Sequence, residues 1–182
     1  MHMLTRFARS GLVPLVHSIN TLTRSIGKTV SWLIIPLALS MLWEVISRYA
    51  FSKPTIWAYE AAYMQMGALF ILGIAYVSQV DAHVRVDLFY KNFSERQQAL
   101  VNLIGLLLIV PLAVWLCFGL WWYFERAYQS GEGSGASIWN PVVWPARLIF
   151  WLGFVLFAAQ IAADIAKALH TIITRQKIER SS

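Results

Sequence analysis

Residues 60–81 read EAAYMQMGALFILGIAYVSQVD, and between the acidic ends of that stretch no side chain carries a formal charge. Residues 97–124, QQALVNLIGLLLIVPLAVWLCFGLWWYF, form a second and longer uncharged run. At about 1.5 Å of rise per residue, either run as a helix crosses a hydrocarbon core of about 30 Å. Lipid offers no hydrogen bonds to an exposed backbone, so a run of this kind spans as a helix that pairs its own amides. Two more apolar runs flank these, at 29–48 and 141–166, and the span containing the 60–81 stretch starts at about residue 56. The expected fold class is therefore all-α and integral to the membrane. It has four transmembrane helices, at about 29–48, 56–79, 97–124 and 141–166, in a single membrane domain over 1–182.

Composition agrees with this reading. The chain is 58% hydrophobic and 13% charged, against about 25% charged for a soluble domain. Its one cysteine, Cys117, lies inside the third run, so no disulfide within the chain and no metal-binding cysteine spacing exist. The net charge of +6 does not point to a nucleic-acid partner, because the basic residues sit at the ends of apolar spans facing lipid, where they set orientation. Arg6, Arg9, Arg24, Lys28, Arg85, Lys91, Arg96, Lys167, Arg175, Lys177 and Arg180 fall on one side, while only Arg48, Lys53, Arg126 and Arg147 fall on the other. Both termini and the 81–96 loop are thus expected in the cytoplasm.

The connecting segments carry their own signals. Leu4, Phe7, Leu12, Leu15, Ile19 and Leu22 recur at near-helical spacing among basic residues, which predicts an amphipathic cytoplasmic N-terminal helix interrupted near Gly11 and Pro14. No continuous apolar stretch ends there in a small-residue cleavage site, so no cleavable leader is expected. Pro36 should kink the first span, and Thr55, after Lys53-Pro54, is placed to cap the second. Ala61, Gln65, Ala68, Ala75 and Gln79 share a face of that span, where small side chains let a neighbouring helix approach. Val86, Phe89, Tyr90 and Phe93 predict a cytoplasmic surface helix between spans 2 and 3. Ser94 and Gln97 form a capping-box pattern for a helix reaching about residue 128, with a bend at Pro111. Trp121-Trp122-Tyr123 belongs to an interfacial aromatic belt. A Gly/Ser-rich loop at 129–139 precedes Asn140-Pro141, which read as the N-cap and first residue of the last helix.

Chemistry is sparse by comparison. His2, His17, His83 and His170 all lie outside the apolar cores, which argues against a haem anchor. No nucleophile–base set, phosphate-binding loop or zinc spacing occurs, so neither enzymatic activity nor a cofactor is expected. Glu44 lies just inside the first span and Arg48 one turn later. The two can form an ion pair that fixes the helix end, or Glu44 can carry protons in a self-sufficient small transporter. Glu60 opens the second span, where the helix dipole favours a carboxylate and where a partner subunit can also reach it. Asp81, His83, Arg85 and Asp87 read as a solvated face, with His83 and Asp87 spaced to pair.

These residues also fit a family pattern. Arg48-Tyr49-x-Phe51 with Pro54, Trp57 and Glu60 is similar to the first external loop of the small (DctQ-type) membrane subunits of tripartite ATP-independent periplasmic (TRAP) transporters. Gly67-Ala68-Leu69-Phe70-x-Leu72-Gly73-x-Ala75-Tyr76, followed by Asp81-x-His83-Val84-Arg85-Val86-Asp87-x-Phe89-Tyr90, resembles the second helix and cytoplasmic turn of that family. The form is closest to a branch labelled for mannitol or chloroaromatic compounds, as is Gly131-Glu132-Gly133-Ser134. The resemblance covers roughly residues 20–168, and Glu44 departs from it, since a neutral or amide residue is more usual there. It implies a non-enzymatic scaffold subunit in the bacterial inner membrane. Its partners would be a large permease subunit, which moves an organic anion with sodium coupling, a periplasmic substrate-binding protein, and the surrounding lipids. No cofactor is implied for this chain.

The orientation has a direct check. Cysteines placed at Ser52 and Ser134 are expected to react with an impermeant thiol reagent added to intact cells, and cysteines at Ser94 and Ser181 are not; labelling in the opposite sense overturns the topology.

Overall fold

A computed structural model of the chain describes residues 2–79 and 93–174. Within them are five helices: α1 (His2–Ser31), α2 (Ile34–Tyr49), α3 (Ala58–Gln79), α4 (Glu95–Ser130) and α5 (Trp144–Thr174). Four stretches are long and apolar enough to cross a membrane: Pro14–Tyr49, Ala58–Gln79, Gln97–Ser130 and Trp144–Ile173. The predicted surface helix at 81–93, with His83, Arg85 and Asp87, lies outside the described residues apart from Phe93.

The spanning helices form an open row. α2 packs on α3, α3 on α5, and α5 on α4, with no comparable packing of α2 against α4 or α5 among the described residues. α1 lies across the row and touches both α3 and α5. The central seam depends on two glycines. A Cβ on Gly67 would meet the Phe150 ring at 2.8 Å, and one on Gly153 would lie 2.5 Å from Ile71 Cγ2 and 3.1 Å from its carbonyl oxygen. Helices in lipid gain nothing from hiding apolar surface from water, so association rests on such close backbone approach. Ala68 and Ala75 are buried as well. The small-residue face of α3 is therefore used inside the chain and is not left for a partner. Contact pairs rise together along the two helices, 67 with 150, 71 with 153 and 78 with 164. α3 and α5 consequently run parallel, and their N-termini share one end of the row, called here the loop end.

Helix boundaries differ from expectation at three places, each for a local reason. α1 runs through Gly11 and Pro14 without interruption, since a proline removes one backbone bond without forcing an end. The break comes instead at Trp32-Leu33, just before Pro36. Pro36 has no N–H for the Trp32 carbonyl, which accepts from Ile35 at 3.2 Å in a tighter turn. α4 starts at the capping box read from the sequence, with Ser94 and Gln97 exchanging both bonds, and continues through Pro111 to a left-handed Gly131 at φ 62°. α5 starts at Trp144 rather than near Pro141. Asn140 has φ 42°, and its carboxamide oxygen accepts from Gly135 N at 2.8 Å, so it closes the loop and caps no helix.

At the other end of the row a polar cluster fastens α1. Asn20 Oδ1 accepts from Gln160 Nε2 at 3.1 Å and from Lys167 Nζ at 3.2 Å, while Asp164 Oδ1 accepts from Lys167 at 2.8 Å. Val16, Thr23 and Val30 are buried on the same face of α1, and Gly27 sits against the Tyr76 ring. Leu15 and Leu22, on the apolar stripe expected of the amphipathic N-terminal helix, stay exposed. The ordering is physical: lipid solvates leucine well and solvates Asn20 and Gln160 badly, so the polar and small face docks.

Gly153→Leu is expected to push α5 from α3 and destabilise the chain by about 1–3 kcal/mol, as overpacking does. Gly119→Leu, at a position with open space around it, is the matched control. Thermal unfolding in detergent compares the two; equal midpoints would mean that the seam is not a close contact.

Candidate functional site

Two ionic clasps close the loop end of the row. The first is built on Glu44, which α2 holds one turn before its end with the residue buried. One carboxylate oxygen accepts from Arg48 Nε at 3.0 Å and from its Nη2. The other accepts from the backbone N of Thr55 at 2.9 Å and from the Thr55 hydroxyl. That same hydroxyl accepts from Ala58 N at 3.3 Å. Thr55 therefore supports the start of α3 while tying it to α2, though the helix begins two residues later than a simple N-cap would place it. The connection is tightened further by Lys53 N donating to the Ser47 carbonyl at 2.9 Å. The Glu44–Arg48 pair expected from spacing is formed; the tie to Thr55 across the turn is not something spacing shows.

The second clasp joins α4, its following loop and α5. Arg147, only 8% exposed, meets Glu132 in a bidentate pair with Nη1 at 2.7 Å and Nη2 at 2.6 Å. Its Nη1 also donates to the Tyr123 carbonyl at 3.3 Å, and the guanidinium lies 3.7 Å from the centre of the Tyr123 ring. Planar guanidinium suits both contacts in a way a lysine ammonium does not. The loop is shaped to deliver Glu132: Gly131 turns left-handed, Val143 N donates to the Glu132 carbonyl at 3.0 Å, and Ser134 N to the Pro141 carbonyl at 2.9 Å. The Arg147 hydrogen bonds hold the Glu132 carboxyl below its ordinary range, against a smaller opposing effect of desolvation.

Between these clasps lies a cavity of about 370 Å³, bounded by α3, the end of α4, the 132–143 loop and the start of α5. Glu60 lines it and is 3% exposed, and neither of its carboxylate oxygens has a hydrogen-bond partner among the described residues.

The remaining residues singled out in the sequence are spread along the chain. Tyr49, Phe51 and Trp57 expose their rings around the α2–α3 connection, whereas Gly67 and Ala68 face the interior of the row. No group of three or more potential metal ligands occurs among the described residues. Sequence reasoning passed over Arg147 with Glu132, and the Asn20–Gln160–Asp164–Lys167 cluster. The available signals were an arginine in the first turns of the last span, and the i, i+3 spacing of Asp164 and Lys167 inside it.

The sequence model of one protein family, described as Tripartite ATP-independent periplasmic transporters, DctQ component, matches residues 37–171. The match takes in both clasps, the cavity and the α3–α5 seam. No curated protein and no solved structure matches the chain.

The depressed Glu132 pKa carries a sign. Its stabilising effect is present above the unfolded value of 4.5 and is lost as pH falls through the lower folded value. The thermal midpoint of the wild-type chain is therefore expected to drop more steeply than that of Glu132→Gln when detergent samples are taken from pH 6 to below about 4. Parallel pH profiles would show that the second clasp contributes nothing.

Proposed function

The chain belongs to the DctQ component family of tripartite ATP-independent periplasmic transporters, and from that premise we propose that it works as a fixed scaffold beside the large permease subunit. As a family member it is a small transporter component of a multi-pass membrane type and not an enzyme. The finer reading is that it sits in the bacterial inner membrane with both termini in the cytoplasm. Its loop end then faces the periplasm and helps seat the substrate-binding protein. The cargo is an organic anion of the carboxylate class, and the coupling ion, sodium, is handled by the large subunit.

The observation that carries this reading is the contrast between satisfied charges and unsatisfied surface. Glu44 accepts from two residues across a turn, and Arg147 is committed to Glu132 and Tyr123. Charges so engaged hold helix ends together and are poorly placed to pick up and release ions. Meanwhile an open row of helices exposes two broad apolar faces, with Leu108, Trp115, Phe118 and Trp122 of α4 each more than two-thirds exposed. A surface of that extent is solvated by lipid or covered by another membrane protein.

Substrate uptake into proteoliposomes containing both membrane subunits, the binding protein and an imposed sodium gradient tests the reading. Glu44→Gln is expected to keep most of the uptake, because glutamine retains an acceptor for the Arg48 or Thr55 donors. Arg48→Ala is expected to do more harm, by leaving a carboxylate near the membrane with one fewer counter-charge. The chain alone is expected to transport nothing. Abolished uptake in an assembled Glu44→Gln complex would mean that Glu44 carries protons, contrary to a scaffold role.

A further inference from the structure

Glu60 is the one carboxylate among the described residues that is buried without a donor. An ionised carboxylate in that condition is costly unless something cationic reaches it. Arg147, the basic residue among those lining the cavity, is spent on Glu132 and the Tyr123 carbonyl. The vacancy is therefore not one that a rotamer change in Arg147 fills without breaking the second clasp.

The cavity's surroundings say what kind of cation fits. Its volume of about 370 Å³ is far more than a bare ion needs, and the described residues hold no group of three or more His, Cys, Asp or Glu side chains that could ligate a metal. Tyr59, Tyr63 and Tyr123 stand on its walls, and aromatic faces attract guanidinium or ammonium groups. Arg147 over the Tyr123 ring already shows that mode of contact. The cavity also opens onto a membrane-facing surface. Tyr59, Tyr63, Met66 and Phe70 follow at i, i+4, i+7 and i+11 along α3, each more than half exposed, and make one continuous stripe. Glu60 lies on the flank of that stripe at its upper end.

We propose that the Glu60 cavity is a socket for a lysine or arginine side chain borne by a membrane helix of the large permease subunit, which lays its apolar face along the Tyr59–Tyr63–Met66–Phe70 stripe. The assignment rests on the scaffold reading above and adds the contact on which assembly turns. Charge complementarity selects the basic group, and continuity of cavity and stripe selects a membrane helix over a soluble protein. The free chain bears an uncompensated carboxylate, and the complex removes that cost.

This makes an unusual pair of expectations for one substitution. Glu60→Gln in the isolated chain should leave the thermal midpoint unchanged or raise it, because a buried charge without a partner is removed. The same substitution should weaken association with the large subunit by about tenfold or more, because there the glutamate has a desolvated partner. A photo-reactive residue in place of Tyr63, in the otherwise wild-type complex, should capture a large-subunit peptide containing a lysine or arginine. Association unchanged by Glu60→Gln, a lowered midpoint in the isolated chain, or capture of the binding protein or only lipid would each overturn the proposal. Failure of the wild-type chain to bind the large subunit at all is a different result: it would remove the scaffold reading itself.

Discussion

The close approach of α3 and α5 is the contact from which the rest of the chain hangs. Gly67 admits the Phe150 ring and Gly153 admits Ile71, backbone nearly against backbone. Among the described residues α2 packs on α3 and α4 on α5, while α1 contacts both, with Asn20 bonded to α5 and Gly27 against Tyr76 of α3. Because the seam runs between parallel helices, it also brings two helix N-termini to the same end. That placement gathers Glu60, Arg147 and the 131–143 loop into one neighbourhood.

Charges in this molecule are distributed as fasteners at the ends of helices. At the loop end, Glu44 and Thr55 bind α2 to α3, and Glu132 and Arg147 bind the loop to α5 over Tyr123. At the opposite end, Asn20, Asp164 and Lys167 bind α1 to α5. The middle of the row is left to glycine, alanine, aliphatic and aromatic contacts. Polar groups thus fix the ends and small residues the centre, which suits the proposed scaffold role. Glu60 stands apart, since it is the buried acid without a hydrogen-bond partner among the described residues.

What the sequence made legible follows from how local each signal is. Span number depends on unbroken apolar runs, and the capping box at Ser94 and Gln97 and the Glu44–Arg48 pair on residues within four positions of each other, and the structure contains them. Signals that depend on distant partners were misread or missed. Asn140 has the composition of an N-cap, but its backbone is left-handed and its oxygen serves Gly135. The apolar stripe with Leu15 and Leu22 was legible, but the docking of the other face, with Asn20, Thr23 and Gly27, was not. Periodicity identifies an apolar stripe but cannot say whether lipid or protein covers it, because in a membrane the two solvate leucine equally. Likewise, Ala68 was legible as a close-packing position, though its partner turned out to lie inside the same chain.

The central claim is that one broad face of this open row is made to be covered by the large permease subunit. Spin labels placed singly at Tyr63, Met66 and Phe70 of α3, and at Leu108 and Trp115 of α4, report lipid exposure through collisions with dissolved oxygen. In nanodiscs holding the chain alone, all five positions are expected to show high exposure. When the large subunit is present, the α3 positions should lose that exposure together. Retention of full lipid exposure at every α3 position in a complex that demonstrably contains both subunits would contradict the account.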